Sequence, residues 1–371
     1  MSKTLQDYAI LINDTIQSNE INHYITTDNM CQNLGGIDTF KNINIPQGKV
    51  RSFEKDDVLL SNIRLYFRKV YRAKQKGGCS SDVLVFRAKH IDSATLFAIL
   101  SSQIFTDYAC SGSQGSKMPR GNKTHMMDFK IPTINFTIAK IFNSIQNKIE
   151  NNHKINELLH KILELLYEQY FVRFDFLDEN NKPYQTSGGK MKFSKELNRL
   201  IPNDFEVKTL GELTQLKVGN KNANHSSNQG KYPFFTCSNN PLRCETYQFE
   251  GKHIIISGNG NFYVTHYDGK FDAYQRTYVV NPNNPNHYVL IYLFVKSYTN
   301  YLKLQSRGSI IKFITKSDIE NIKIVLPNLK TYAKWNNVLK MIENNNQSTQ
   351  TLTALRDFLL PLLLKQQVKP Q

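Results

Sequence analysis

The amino-acid sequence predicts an α+β protein in which one unit occurs twice. Two pairs of similar segments lie 193 residues apart, and a third pair lies 196 residues apart. The pairs are residues 115–116 with 308–309, 149–152 with 342–345, and 53–61 with 249–257. Segments that agree on one offset indicate an internal duplication. We therefore predict two domains of mixed α/β structure, joined by two long antiparallel coiled-coil helices and related by a pseudo-twofold axis.

Each copy begins with a globular part, at residues 1–135 and residues 203–330. Short β-branched or aromatic runs between turn residues predict strands in both parts. These runs are residues 58–60 and 83–86 in the first part and residues 254–256 and 277–280 in the second. An apolar helical stretch follows at residues 94–105 and 288–298, and a proline ends each part, at Pro132 and Pro327.

A long helix is predicted after each globular part, within residues 136–177 and 331–371. Apolar residues recur there at three- and four-residue steps. The residues assigned to these partner-binding helices are Ile145, Ile149, Leu159, Leu166, Ile342, Leu352 and Leu359. A seam of this kind also fits an ordinary core helix, and the duplication is what favours a spacer. The polar residues 178–202 are predicted to link the copies.

Composition restricts the class of protein. With 371 residues, of which 40% are hydrophobic, each copy can bury a core of its own. No apolar run approaches about 18 residues and no signal-peptide pattern opens the sequence, so we expect a cytoplasmic protein. The five cysteines never form a CxxC pair, which predicts reduced thiols and no metal site.

The net charge predicts a polyanionic partner. Of the total of +16, residues 1–135 contribute +5 and residues 203–330 contribute +6. Excess positive charge on both globular parts is typical of proteins that bind nucleic acid. A generally basic proteome is the alternative explanation.

Three groups of residues are predicted to contact DNA. Cations and aromatic residues alternate within residues 64–76, which suits phosphate neutralisation with stacking, although a solvated basic surface has the same composition. Glycine-containing loops at residues 112–123 and 305–312 combine backbone donors with cations, and residues 274–276 carry side chains suited to base edges. The predicted DNA-binding residues are Arg64, Tyr66, Arg68, Lys69, Arg72, Ser116, Lys117, Arg120, Asn122, Lys123, Asn259, Asn261, Tyr274, Gln275, Arg276, Arg307, Ser309 and Lys312.

Signatures of catalysis are absent from the sequence. An amino-methylating enzyme would carry an Asn/Asp-Pro-Pro-aromatic tetrapeptide, and no Pro-Pro pair occurs. There is no GxxxxGK[ST] segment for ATP, and the glycine-rich residues 257–262 lack the βαβ context and the ribose-binding acid of a dinucleotide site. We therefore predict a non-catalytic chain with no catalytic and no metal-binding residues.

A set of motifs occurs in a defined order along the chain. They are residues 23–30, 57–64, 78–83 and 115–120 in the first copy, and residues 232–236, 275–277, 308–313 and 316–320 in the second. Between the copies lie residues 181–184, 187–189 and 200–202. Over essentially its whole length, the sequence resembles the specificity subunit of a Type I restriction-modification system.

The resemblance implies a function and a set of partners. Each globular part would be a target-recognition domain that reads one half of a bipartite, asymmetric site in double-stranded DNA. The helices would set the gap and dock two modification subunits that methylate adenine, with restriction (motor-nuclease) subunits added for cleavage. S-adenosylmethionine, Mg²⁺ and ATP would belong to those partner subunits. Two alternatives remain open: a protein-binding helical scaffold without DNA readout, and the specificity subunit of a related methyltransferase system that lacks a nuclease.

Overall fold

The structure is a computed structural model that describes residues 3–38, 41, 43–131, 134–227, 229–327, 332 and 334–363. The chain forms two compact units, and each is described by itself. Unit 1 comprises residues 1–155 and 344–371, and unit 2 comprises residues 156–343. Pro132 and the end of the second predicted spacer helix, residues 364–371, lie outside the described residues. Within the described ranges, no helix combines the length and the apolar character needed to cross a membrane.

The regular elements are as follows. The strands are β1 Ala9–Ile12, β2 Thr15–Gln17, β3 Tyr24–Ile25, β4 Lys49–Phe53, β5 Val58–Ser61, β6 Val70–Arg72, β7 Gly77–Cys79, β8 Val83–Ala88, β9 Met191–Ser194, β10 Arg199–Pro202, β11 Glu206–Thr209, β12 Thr214–Val218, β13 Tyr232–Phe235, β14 Leu242–Cys244, β15 Lys252–Ser257, β16 Val264–Asp268, β17 Asp272–Ala273, β18 Thr277–Pro282 and β19 Lys323–Leu326. The helices are α1 Leu5–Tyr8, α2 Ser93–Ser101, α3 Gln103–Ser111, α4 Lys123–Met127, α5 Phe136–Tyr167, α6 Leu210–Leu213, α7 Tyr288–Gln305, α8 Lys316–Glu320 and α9 Trp335–Leu359.

Each unit is built around an antiparallel four-stranded sheet with the same topology. The strand order is β1-β8-β5-β6 in unit 1 and β12-β18-β15-β16 in unit 2. Beside it lies a second sheet, β2-β4-β7-β3 in unit 1 and β14-β13-β17 in unit 2. Both second sheets contain one parallel pair, β3 with β7 and β13 with β17. The matching strand order confirms the prediction that the two halves share one fold.

The main sheet of each unit is buried on both faces. In unit 1, Leu60 and Phe86 pack into the cluster that contains α2 and α3, whereas Leu59 and Val85 point into a separate cluster beneath the second sheet. In unit 2, Ile254 and Val280 likewise face one cluster while Ile255 and Val279 face the other. Strands buried on both faces appear in sequence as unbroken apolar runs, which is why these four strands were predictable.

The two copies also start alike. Thr4 caps α1 and Thr209 caps α6, each paired with an acid three residues later. The Thr4 backbone N–H donates to Asp7 Oδ2 at 2.7 Å, and the Thr209 N–H donates to Glu212 Oε2 at 2.6 Å. These capping boxes satisfy backbone donors at the helix starts.

The long helices α5 and α9 run antiparallel within each unit. In unit 1, Asn152 Nδ2 donates to Thr349 Oγ1 at 3.1 Å and Arg356 Nη1 donates to Gln146 Oε1 at 3.2 Å. In unit 2, Asn156 Nδ2 donates to the Ile342 carbonyl oxygen at 3.4 Å, and the rings of Tyr170 and Trp335 are 5.2 Å apart. In both units the residue numbers rise in one helix as they fall in the other.

Two features differ from the sequence expectation. The predicted helix at residues 94–105 is two helices, because the Ser102 hydroxyl accepts a hydrogen bond from the Phe105 N–H and starts α3 anew. Unit 2 has the continuous α7 at the corresponding place. The predicted linker contains the antiparallel hairpin β9–β10, whose Ile201 is 1% exposed and belongs to the core of unit 2.

Candidate nucleic-acid interface

A closed loop projects from unit 1 beside the end of β5. Gln114 and Arg120 exchange two backbone hydrogen bonds, of 2.9 Å and 2.8 Å. The Arg64 N–H donates to the Pro119 carbonyl oxygen at 2.9 Å, and the Gly121 N–H donates to that of Asn62 at 3.1 Å. We call residues 114–120 tip loop 1.

Unit 2 builds the same loop from the same hydrogen bonds. Arg307 and Phe313 exchange backbone bonds of 3.0 Å and 2.8 Å. The Gly260 N–H donates to the Lys312 carbonyl oxygen at 2.8 Å, and the Ile314 N–H donates to that of Gly258 at 2.9 Å. We call residues 307–313 tip loop 2. Each tip loop is therefore fixed to the end of the central strand pair of its unit.

Both loops turn at a glycine. Gly115 has φ 98° and Gly308 has φ 100°, a conformation that L side chains rarely adopt. A Cβ on Gly308 would lie 2.3 Å from the Ile311 carbonyl oxygen, while a Cβ on Gly115 would meet nothing closer than 3.7 Å. The Gly-Ser pairs that first revealed the duplication are thus the turns of the two tip loops.

Tip loop 1 exposes a cation, a hydroxyl and an apolar side chain. Ser116 and Lys117 are exposed, and Met118 is 54% exposed. Arg120 forms an ion pair with Asp82 at 2.9 Å, and the half-buried Arg64, with φ 50°, donates to the Lys117 carbonyl oxygen at 3.4 Å.

The corresponding end of unit 2 gathers three of the predicted segments. The Gly258 N–H donates to the Arg276 carbonyl oxygen at 2.7 Å, which joins residues 274–276 to the turn at 258–261, and that turn is bonded to tip loop 2. Gln275, Arg276 and Lys312 are exposed. Several predicted DNA-binding residues of this half therefore lie at one end of one sheet.

Tip loop 2 has an apolar tip. Ile310 is 95% exposed and Ile311 is 62% exposed, next to the exposed Ser309 and Lys312. Arg307 is held by Asp318 at 3.1 Å. An isoleucine that is almost completely exposed has no packing role in its own unit, so it is available to a partner.

The basic cluster at residues 64–76 is largely committed to internal contacts. Arg68 donates to the Ser101 carbonyl oxygen at 2.9 Å and Lys69 donates to that of Thr27; burial lowers the pKa of both side chains. Arg72 lies 3.7 Å from Asp56. Tyr66 is the exception, since 54% of it is exposed.

The other predicted DNA-binding residues take varied positions. The Asn122 side chain caps α4 by accepting from the His125 N–H at 3.1 Å, and Lys123, the first residue of α4, is exposed. Asn261 donates to the Tyr263 hydroxyl at 3.1 Å. Asn259 and Tyr274 are half-buried and form isolated backbone bridges to Phe313 and Lys221.

The predicted partner-binding residues lie toward the inside of the helices. Ile145, Ile149 and Ile342 are buried, and Leu159 and Leu166 pack against the core of unit 2; Leu352 and Leu359 are half-buried. The apolar side chains that α5 and α9 expose are a different set. They are Phe136, Ile141, Ile155, Leu158, Ile162, Leu165, Met341, Leu355 and Phe358.

Sequence reasoning did not select Asp82, Met118, Ile310 and Ile311. Their signal was available in the duplication, because the 193-residue offset places Lys117 and Met118 opposite Ile310 and Ile311. These positions share a backbone and differ in side chain.

Comparisons with known proteins agree with this architecture. Residues 202–355 match the family model of the Type I restriction modification DNA specificity domain. The fold similarity extends beyond these residues: the structure is similar to the crystal structure of the Type I restriction-modification system S subunit from M. genitalium, with a TM-score of 0.63, 16% identity, and coverage of 99% of this chain and 96% of that chain. At this identity the likeness shows the fold.

Two curated relatives are similar in sequence. The Escherichia coli Type I restriction enzyme EcoDI specificity subunit is 38% identical over 132 residues, which are 34% of this chain and 28% of that protein. The Methanocaldococcus jannaschii Type I restriction enzyme MjaIX specificity subunit is 24% identical over 301 residues, which are 72% of this chain and 67% of that protein. The predicted resemblance to Type I specificity subunits is thus confirmed.

Proposed function

We propose that this chain is the non-catalytic DNA-recognition subunit of a Type I restriction-modification complex. The globular parts, residues 1–135 and 203–330, each read one half of a bipartite, asymmetric DNA site. One observation carries the proposal: the two tip loops have the same backbone bonds, but they expose different side chains. Equal scaffolds place both loops in equivalent positions on DNA, and unequal side chains select different bases.

The proposed DNA contacts are of two kinds: phosphate contacts that position the protein, and base contacts that select the sequence. Lys117 and Lys312 are exposed cations next to loop N–H groups, and they bind phosphates in a manner independent of sequence. Arg276 and Gln275 reach base edges, since arginine pairs with guanine and glutamine with adenine. Ile310 contacts an apolar base feature such as the thymine methyl group.

The helices α5 and α9 supply the spacer and the docking surface. Their seam residues stabilise each unit, so the partner subunits contact the exposed set instead, including Leu158, Ile162 and Leu165 on α5. Leu158, Ile162 and Leu165 follow one another at steps of four and three residues, which place them on one face of α5. The partners supply S-adenosylmethionine, Mg²⁺ and ATP, and the adenine to be methylated enters their pocket.

The proposal is tested by reconstitution. The purified chain is mixed with modification subunits and S-adenosylmethionine, and the methylated bases in genomic DNA are sequenced. We expect adenine methylation at a two-part motif only when both components are present. Methyl transfer by the chain alone, or methylation without a two-part motif, would refute the proposal. A chain that bound only protein would not shift DNA at moderate salt.

The docking surface has its own test. Leu158→Glu with Ile162→Glu should abolish co-purification of the modification subunit while DNA binding by the chain remains. The matched control is Lys148→Glu, an exposed position of the same helix that lies ten residues, or about 15 Å, before Leu158. Equal co-purification of the double variant and the control would place the docking surface elsewhere.

A further inference from the structure

Three side chains able to bind a metal ion converge in unit 2. His225 ends the 3-10 turn Ala223–His225, Cys244 ends β14 and Asp272 begins β17. His225 Nε2 lies 3.0 Å and Cys244 Sγ lies 4.0 Å from Asp272 Oδ2. All three ligand atoms lie within 4.8 Å of one another, and no other His/Cys/Asp/Glu group of three among the described residues does this.

The Asp272 carboxylate is what needs an explanation. The residue is 0% exposed. Its Oδ2 accepts from the Thr246 hydroxyl at 2.6 Å and lies next to His225, but its Oδ1 has no hydrogen-bond partner among the described residues. A buried carboxylate with an unpaired oxygen is costly unless a cation satisfies it.

We propose that His225, Cys244 and Asp272 bind a Zn²⁺-class metal ion, with the Thr246 hydroxyl or a water molecule as the fourth ligand. Imidazole nitrogen, thiolate sulfur and carboxylate oxygen form a ligand set typical of zinc and poorly suited to Mg²⁺. Zinc bonds of about 2.0–2.3 Å separate tetrahedral ligands by roughly 3.3–3.7 Å. The 3.0 Å and 4.0 Å separations lie on either side of this range, so shifts below an ångström would complete the site.

Metal binding has a balanced proton transfer. The metal would bind the thiolate form of Cys244, so the thiol must give up its proton. Binding forms the metal–sulfur bond and releases that proton to solvent.

The site would brace the DNA-reading segment of the second half only. Asp272 precedes Tyr274, Gln275 and Arg276 by two to four residues, and a metal would tie β17, which leads into them, to β14 and to the turn at His225. In unit 1 the parallel pair β3–β7 puts Gly78 at the place of Asp272, since Tyr24 pairs with Gly78 as Phe234 pairs with Asp272. We expect one metal ion per chain.

The test uses the full-length chain dialysed against Zn²⁺ or Co²⁺ and then against metal-free buffer, with retained metal measured by mass spectrometry. The wild-type protein should retain about one ion per chain, and Cys244→Ser and His225→Gln should lose it. Cys237→Ser, which removes a half-buried thiol of the same domain, is the matched control and should retain it. Bound Co²⁺ should show a thiolate charge-transfer absorption that is lost in Cys244→Ser and His225→Gln and kept in Cys237→Ser.

A second measurement needs no variant. Zn²⁺ or Co²⁺ at about 100 times its dissociation constant should raise the melting temperature of the wild-type chain by roughly 5 °C, whereas Mg²⁺ should not. If the wild-type chain retained no metal and Zn²⁺ did not raise its melting temperature, the proposal would be overturned. It would also be overturned if Cys244→Ser retained as much metal as the wild-type chain. These outcomes involve no DNA, so they stand apart from the proposed function.

Discussion

The ends of units 1 and 2 that carry the tip loops have the same backbone hydrogen bonds and different charges. Tip loop 1 is closed by Gln114 and Arg120, and tip loop 2 by Arg307 and Phe313, through the same pair of backbone bonds. Asp82 in unit 1 occupies the place of Arg276 in unit 2. The Asp82 carbonyl oxygen accepts from the Asn62 N–H, just after β5, at 2.8 Å, and the Arg276 carbonyl oxygen accepts from the Gly258 N–H, just after β15, at 2.7 Å. One scaffold thus carries an acid in one copy and a base in the other.

The consequence is a division between scaffold and readout. In unit 1, Asp82 neutralises Arg120 within the unit. In unit 2, Arg276 is exposed and forms no ion pair with a described residue. The second end therefore offers a free guanidinium and an apolar tip, while the first offers Lys117 and Met118. The proposed function uses these differences to read different half-sites with one fold.

The largest expected effect comes from making the second end resemble the first. Arg276→Asp should weaken binding to the specific site about 100-fold, because it removes a base contact and adds a negative charge near phosphates. Affinity measured by fluorescence anisotropy checks this. Lys195→Asp, the same charge change at an exposed position on the β9–β10 hairpin, is the control. Equal losses for the two variants would mean that only net charge matters at position 276.

The two turn glycines should respond unequally to alanine. Gly308→Ala should destabilise unit 2 by about 2–3 kcal/mol, because a positive φ is combined with a clash against the Ile311 carbonyl. Gly115→Ala has the φ cost alone and should destabilise unit 1 by about 1 kcal/mol. Denaturant unfolding of both variants measures the difference. Equal costs would show that the Ile311 carbonyl moves away from the added Cβ, so that the clash adds nothing to the cost of the positive φ.

Acid should weaken unit 2 through His266. Burial lowers the pKa of His266 to about 4, with further contributions from His160, Lys252 and Lys296, and Glu343 lies 3.7 Å away. Between the ordinary pKa of 6.5 and this lowered pKa, the unfolded chain binds a proton at His266 and the folded unit does not. The free energy of unfolding of unit 2 therefore falls as the pH drops below about 6.5, by about 2 kcal/mol at pH 5. Hydrogen exchange of unit 2 peptides at pH 7 and pH 5 measures this, and His266→Gln should remove most of it. Full protection of those peptides at pH 5 would contradict the buried neutral histidine.

The smallest effect is expected for Lys117→Ala in tip loop 1. It should weaken binding to specific and unrelated DNA alike, and it should lower the slope of log affinity against log salt by about one unit. Lys148→Ala, an exposed cation on α5, is the control. A changed base preference with an unchanged slope would mean that Lys117 reads bases.

Much of the fold was predictable from sequence. The strands around Leu60, Val85, Ile255 and Val279 are apolar on both faces and read as continuous runs, and the seams of α5 and α9 are long and periodic. The break at Ser102 was not predictable, because a serine hydroxyl caps a new helix only where the tertiary structure turns the chain.

The candidate interface was predictable in part. Glycine and serine marked both tip loops, because a positive φ leaves few residue choices. The basic cluster at residues 64–76 was less informative, since composition does not distinguish Arg68, which donates to the Ser101 carbonyl oxygen, from an exposed cation. The convergence of His225, Cys244 and Asp272 is invisible in sequence spacing, because three separate elements supply the ligands.

The central claim of the proposed function is that α5 and α9 set the distance between the two recognition domains, residues 1–135 and 203–330. Inserting seven residues after Asn151 in α5 and seven after Asn345 in α9 adds about 10 Å to each helix, or roughly three base pairs. Methylated-base sequencing of the reconstituted complex should then show both half-sites unchanged and a longer gap between them. An unchanged gap, or altered half-sites with the same gap, would contradict the claim.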